Sequence, residues 1–189
     1  MKENIFEIPL LNNISDTFST TVGELQLYLD LFHDENMHDL YSIKQAIISL
    51  SNCMELLVKY RLLVEHWEFI FDDINKAKEC NFETGDFISV NFNRGIERLK
   101  NICNIDVDKY FIYSRELHKY RNKLVHFTLN DNLNSILSNI ISSIEEAHNF
   151  IFNEIIIYIE NYEAVKDIKN DLNELLDIKN GLRFILSSM

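Results

Sequence analysis

Asn132-Leu133-Asn134-Ser135-Ile136-Leu137-Ser138-Asn139-Ile140-Ile141-Ser142-Ser143-Ile144-Glu145-Glu146-Ala147 opens the most regular stretch of the chain. Leu133, Ile136, Leu137, Ile140, Ile144, Ala147, Ile151, Ile155, Tyr158 and Tyr162 recur at steps of three and four, the period of one face of a helix. The spacing predicts a single long helix from about Asn132 to Tyr162. Just upstream, Thr128-Leu129-Asn130-Asp131 is rich in capping residues and predicts a break. Downstream, Val165, Ile168, Leu172, Leu175 and Ile178 predict a last helical stretch that passes Gly181 and ends near Leu186.

The N-terminal half carries a second stripe, Ile43, Ile47, Leu50, Met54, Leu57 and Val64, which predicts a core-facing helix from about Asp39 to Asp72. On its other face Glu55, Lys59 and His66 fall on one line. Residues 1–21 contain Pro9 and a run of Asn, Ser and Thr, and are expected to form an irregular arm, with a short helix from Val22 to Phe32. Residues 73–90 read as a connection pinned by Phe82, Phe87 and Phe92. Helices are expected from Phe92 to Cys103 and from Asp108 to Phe127. Only four Gly and one Pro occur in 189 residues, so turns are few and helices long. The expected fold is all-α, an up-and-down bundle of four to five helices. An N-terminal arm and short helix (1–38) would precede one globular unit (39–189).

Three cysteines, Cys53, Cys80 and Cys103, are odd in number with no CxxC pair, a pattern of reduced thiols. Cys53 and Cys103 read as buried structural thiols. Glu3 and Glu7 stand where a signal peptide would carry positive charge, and the apolar run Ile155 to Ile159 is too short to span a bilayer. Cytoplasm, with no membrane attachment, is the expectation. The net charge of −12 argues against a broad nucleic-acid footprint. Between Lys109 and His126, however, five cations meet Glu116 alone, a local net of +4 that leaves −16 for the rest. One cationic segment on an acidic body suits a small phosphate site.

That segment ends in Tyr120-Arg121-Asn122-Lys123-Leu124-Val125-His126-Phe127. Arg121 is a fixed cation able to hold two phosphate oxygens, His126 titrates in the working pH range, and Asn122 adds an amide that can orient either. In metal-independent RNA cleavage the 2′-hydroxyl attacks its own phosphate, and these groups cover proton movement and charge stabilisation. Residues five apart on a straight helix lie about 140° around and about 7.5 Å along the axis, so Arg121 and His126 do not converge on one regular helix. Either the helix loosens between them or two copies meet across a two-fold axis. Arg115, His118, Lys119 and Lys123 would widen the phosphate surface, and Tyr113 or Tyr120 would stack on a base if exposed.

The order Arg121-Asn122, then His126, then Phe127 resembles the R-x4-H signature of the HEPN superfamily, the small helical domains of prokaryotic RNase toxins and defence systems. The resemblance covers about Asp39 to Tyr162. It implies a metal-independent endoribonuclease with a composite site in the cleft of a homodimer, catalytic Arg121, His126 and Asn122, and no cofactor. It also implies an antitoxin or defence-complex partner. It casts Glu55 and Lys59, on the first long helix, as supporting residues. The Tyr that receives a nucleotidyl group in one toxin branch is Thr128 here, so silencing by that route is not expected. The alternative is a HEPN-like helical module that has lost catalysis and works as a sensor, adaptor or dimerisation subunit. The loop of His33, Asp34, Glu35, His38 and Asp39 lacks the turn a hard cation needs and reads as solvated, and no metal site is expected. No Gly-rich phosphate loop, G-x-S-x-G or H-E-x-x-H occurs.

Overall fold

The computed structural model describes residues 7–32 and 40–188. It is all-helical, with seven α-helices and no strand beyond one isolated bridge among these residues. Five are long: α1 (Glu7–Phe32), α2 (Leu40–Glu65), α5 (Ile112–His126), α6 (Leu133–Phe150) and α7 (Tyr162–Ser188). Two are short: α3 (Glu79–Thr84) and α4 (Phe92–Asn101). The acidic loop of 33–39 lies outside the described residues.

From Glu7 on, the expected N-terminal arm is instead the body of α1, one helix of 26 residues in place of an arm and a short helix, and residues 1–6 of the expected arm lie outside the described residues. Leu11, Ile14, Phe18, Thr21, Leu25 and Tyr28 are all buried and recur at alternating steps of three and four. The Ser and Thr residues between them are absorbed rather than disruptive. Thr17, Thr20 and Thr21 each donate to the carbonyl four residues back, at 3.0, 2.8 and 2.8 Å. Pro9 falls in the first turn, where its missing N–H has no helical partner to lose. This helix belongs to the core.

Helix α2 is the central element. It runs antiparallel to α1, with Thr21 Oγ1 2.8 Å from Ser49 Oγ and Cys53 beside Ile14, and it also touches α4, α5 and α6. Ser42, Ser49, Ser51 and Arg61 are buried along with its apolar stripe, so this helix is enclosed on more sides than the stripe implies. Gly95 of α4 permits a close approach here: a Cβ on it would stand 2.6 Å from Val58 Cγ1. Helix α7 runs parallel to α1, where Asp171 accepts from Ser15 Oγ at 2.7 Å and Leu29 fills the space beside Gly181. Lys179 and Arg183 tie α7 to Glu145 of α6.

Two expected long helices are shorter than their stripes. Helix α2 ends at Glu65, not Asp72, and Trp67, Phe69 and Phe71 lie beyond it. Their segment closes as a 3-10 turn and a bridge from Phe71 to Ser89, and Arg98 donates to the carbonyls of Phe69, Phe71 and Asp72. The 132–162 helix ends at Phe150, giving way to a π-turn at Ile151–Ile155 and a 3-10 turn at Ile156–Tyr158. The β-branched run Ile155-Ile156-Ile157 resists a continued helix. The break swings Tyr158 onto buried Arg61, whose Nη2 donates to the tyrosine hydroxyl at 3.1 Å.

Among the described residues no helix is long and apolar enough to cross a membrane.

Candidate functional site: the C-terminal half of α5

Helix α5 lacks a side-chain cap from its own N-terminus. Glu146, buried on α6, supplies it across the bundle: its carboxylate accepts from Tyr113 N at 2.9 Å, Ser114 N at 2.7 Å and Ser114 Oγ at 2.7 Å. With its start fixed there and Ser114, Leu117 and Tyr120 buried, the rotation of the helix is set. Everything the motif presents follows from that phase.

The phase divides the motif. Arg121 and Asn122 are half-buried, and Arg121 Nη1 donates to Asn122 Oδ1 at 2.9 Å. Arg121 Nε is closed off from solvent and has no hydrogen-bond partner. His126, the last residue of α5, is exposed, and Phe127 beyond it is 90% exposed. Helix α5 stays regular from Ile112 to His126, so loosening between Arg121 and His126 does not occur. Within one chain the two point about 140° apart.

The cations expected to widen a phosphate surface are partly engaged. Arg115 lies 3.5 Å from Asp108, and Lys119 pairs with Glu116 at 2.7 Å. Lys123 is exposed, 5.8 Å from the centre of the Tyr120 ring. The expectation that Tyr120 stacks on a base is overturned. It is 5% exposed, and burial, with the Asp131 carboxylate beside its hydroxyl, pushes its pKa up. Tyr113, at 47% exposed, remains accessible.

His118 also departs from a surface role. It is half-buried between α2 and α5, its Nδ1 lies 3.1 Å from Ser51 Oγ, and its ring packs on Phe92 at 4.8 Å. Burial pushes its pKa below the ordinary imidazole value, Arg121 adds to that shift, and Glu55 opposes it. Glu55 of α2 and Arg121 of α5 therefore both act on the same ring. Lys59 pairs with Glu55 at 2.7 Å, with both side chains mostly buried. His66 does not join this line; it leaves α2 and caps the following 3-10 turn.

No family model matches this chain, and no curated protein or solved structure does. The HEPN resemblance therefore stands on the residues of the motif alone. Among the described residues no group of three or more His, Cys, Asp or Glu is arranged to hold a metal ion.

Ser51 and Glu146 were not evident from sequence. Ser51 borders the apolar stripe of α2, one turn before Glu55, and Glu146 lies about 80° off the edge of the apolar stripe of α6, on a buried polar flank with Asn139 and Ser143. Spacing alone marks neither. Beyond Leu124 an apolar hollow of about 450 Å³ opens, lined by Leu40, Ile43, Ile47, Leu124, Leu129 and Leu133, with Lys44 and Asp131 also on its walls.

Proposed function

We propose that this protein is a metal-independent endoribonuclease of HEPN type that works in the cytoplasm as a homodimer. Its setting would be a toxin–antitoxin or anti-phage system in which a partner restrains it. The observation that carries this reading is the fixed phase of α5. A regular helix keeps Arg121 half-buried and leaves His126 exposed at its end, about 140° around the axis, so a site using both draws them from two protomers. In that cleft Arg121 of one chain holds the phosphate. His126 of the other takes the 2′-hydroxyl proton as the 2′-oxygen bonds to phosphorus. The P–O5′ bond then breaks and the 5′-oxygen takes a proton from water, giving a 2′,3′-cyclic phosphate and a free 5′-hydroxyl.

A second reading, a helical binding or dimerisation module without catalysis, has its own support. Arg115 and Lys119 are tied to neighbouring carboxylates, while Ile112, Tyr113, Val125 and Phe127 leave apolar surface on α5 exposed.

The deciding experiment incubates the purified protein with total tRNA and with an unstructured RNA in EDTA, beside Arg121→Ala and His126→Ala. Cleavage that leaves a 2′,3′-cyclic phosphate and is lost in both folded variants is the expected result. Mixing the two inactive variants should restore one intact composite site per heterodimer. No cleavage by a folded wild-type dimer would move the assignment to the binding module.

A further inference from the structure

One imidazole in this molecule is held on two sides. His118 Nδ1 faces Ser51 Oγ at 3.1 Å, and the Phe92 ring of α4 covers one face. Ser51 is 1% exposed, and His118 is its one side-chain hydrogen-bond partner among the described residues. A serine hydroxyl has one proton to give, and a buried one gives it to the acceptor at hand. Nδ1 then accepts, and the single proton of the neutral ring resides on Nε2. Nε2 has no acceptor among the described residues and is not closed off from solvent. Helical spacing sets His118 beside Arg121, three residues on, and Asn122, four on. The groups facing the ring are Glu55 from α2, Arg121 from α5 and the uncharged Phe92 from α4.

We propose that Ser51 and His118 form a fixed neutral donor, in which Ser51 holds the tautomer and His118 Nε2–H donates to a non-bridging oxygen of a phosphate held by Arg121. This rests on the RNA reading above and assigns Ser51 a role. No proton leaves the His118 ring, which separates it from His126. A neutral donor keeps the same hydrogen bond as pH rises, whereas a cationic histidine loses its charge.

The test joins histidine-ring ¹⁵N NMR to binding. His118→Gln assigns the His118 signals by their loss, and the wild-type ring should show the neutral Nε2–H form at pH 7 and above. Ser51→Ala should mix the tautomers. An uncleavable 2′-O-methyl oligoribonucleotide and inorganic phosphate are the two probes. His118→Ala should weaken binding of the oligonucleotide about tenfold, and His118→Gln, which returns an amide donor near the Nε2 position, should recover most of the loss.

An Nδ1–H or charged ring at pH 7 overturns the proposal. So does a His118→Ala variant that binds as wild type while Arg121→Ala does not. If wild type binds no oligonucleotide, the RNA reading falls separately and inorganic phosphate decides this one. A phosphate-dependent shift at Nε2 supports the site, and none overturns it.

Discussion

Replacing Glu146 tests whether α5 is held from across the bundle. The carboxylate is 7% exposed and takes three short hydrogen bonds from the first turn of α5. Glu146→Ala strands the Ser114 N–H and hydroxyl in a site where Ser114 is 1% exposed, while the Tyr113 N–H can recover water. An ordinary N-cap contributes about 1 kcal/mol, and a buried donor left without a partner costs about 1–3 kcal/mol. Together these give about 3 kcal/mol for Glu146→Ala. Glu146→Gln keeps one acceptor oxygen but turns an amide donor toward a backbone donor, and should cost about half as much. Ser114→Ala removes one hydroxyl bond, about 1 kcal/mol. In a chain of this size each kcal/mol moves Tm by about 2–4 °C, so Glu146→Ala should melt about 6–12 °C lower by circular dichroism. The Glu146/Ser114 double variant should lose less than the sum of the singles, because both remove one network. A Glu146→Ala midpoint within about 2 °C of wild type would refute the reasoning.

Three further outcomes follow from the packing. Gly95→Ala puts a methyl 2.6 Å from Val58 Cγ1, and a stiff β-branched neighbour that is fully buried does not yield; urea unfolding should show a loss of about 1–3 kcal/mol despite alanine's better helix propensity. Asp171 has its pKa raised by burial, so the folded protein holds that proton more tightly than the unfolded chain. Ionising it costs folded-state stability as pH rises through the carboxylate range, with Asp167 and Glu174 adding repulsion. Asp171→Asn should thus melt slightly above wild type at pH 7, by under about 1 kcal/mol, and the gap should close toward pH 3. Thiol labelling with a disulfide reagent should take exposed Cys80 first and half-buried Cys103 slowly. Cys53 should react only on unfolding, since burial pushes its thiol up and closes it off.

The all-helical fold was legible because the stripes over 43–57 and 133–147 leave no other period open. Element ends were less so, for reasons visible in particular residues. Leu11, Ile14, Phe18, Leu25 and Tyr28 carry a helical period, but the Asn, Ser and Thr between them favour turns in isolation; only packing against α2 makes back-bonded threonines acceptable. Past the break after Phe150, Tyr158 meets Arg61, a partner far away in sequence that spacing does not show. The Arg121-Asn122-His126 motif could be read directly, as could the 140° offset that keeps its ends apart. Ser51 could not, because spacing gives the faces of one helix and not which face of another it meets.

The two halves of the candidate site depend on the fold in different ways. His118 lies on the flank of α5 that meets α2, Ser51 and Phe92 fix its ring, and the half-buried Arg121 and Asn122 follow three and four residues on. Their geometry comes with the core, and any change that shifts α2 against α5 shifts them as a group. His126 and Lys123 depend only on α5 remaining helical to its last turn. That in turn rests on the first turn, held by Glu146, and on the buried ridge of Ser114, Leu117 and Tyr120. The core-facing half is therefore rigid and positional, and the solvent half is accessible but has no walls of its own. A phosphate bound by Arg121 meets His126 only if a second surface closes over the end of α5. The exposed Val125 and Phe127 on either side of His126 are the apolar contacts available to such a surface.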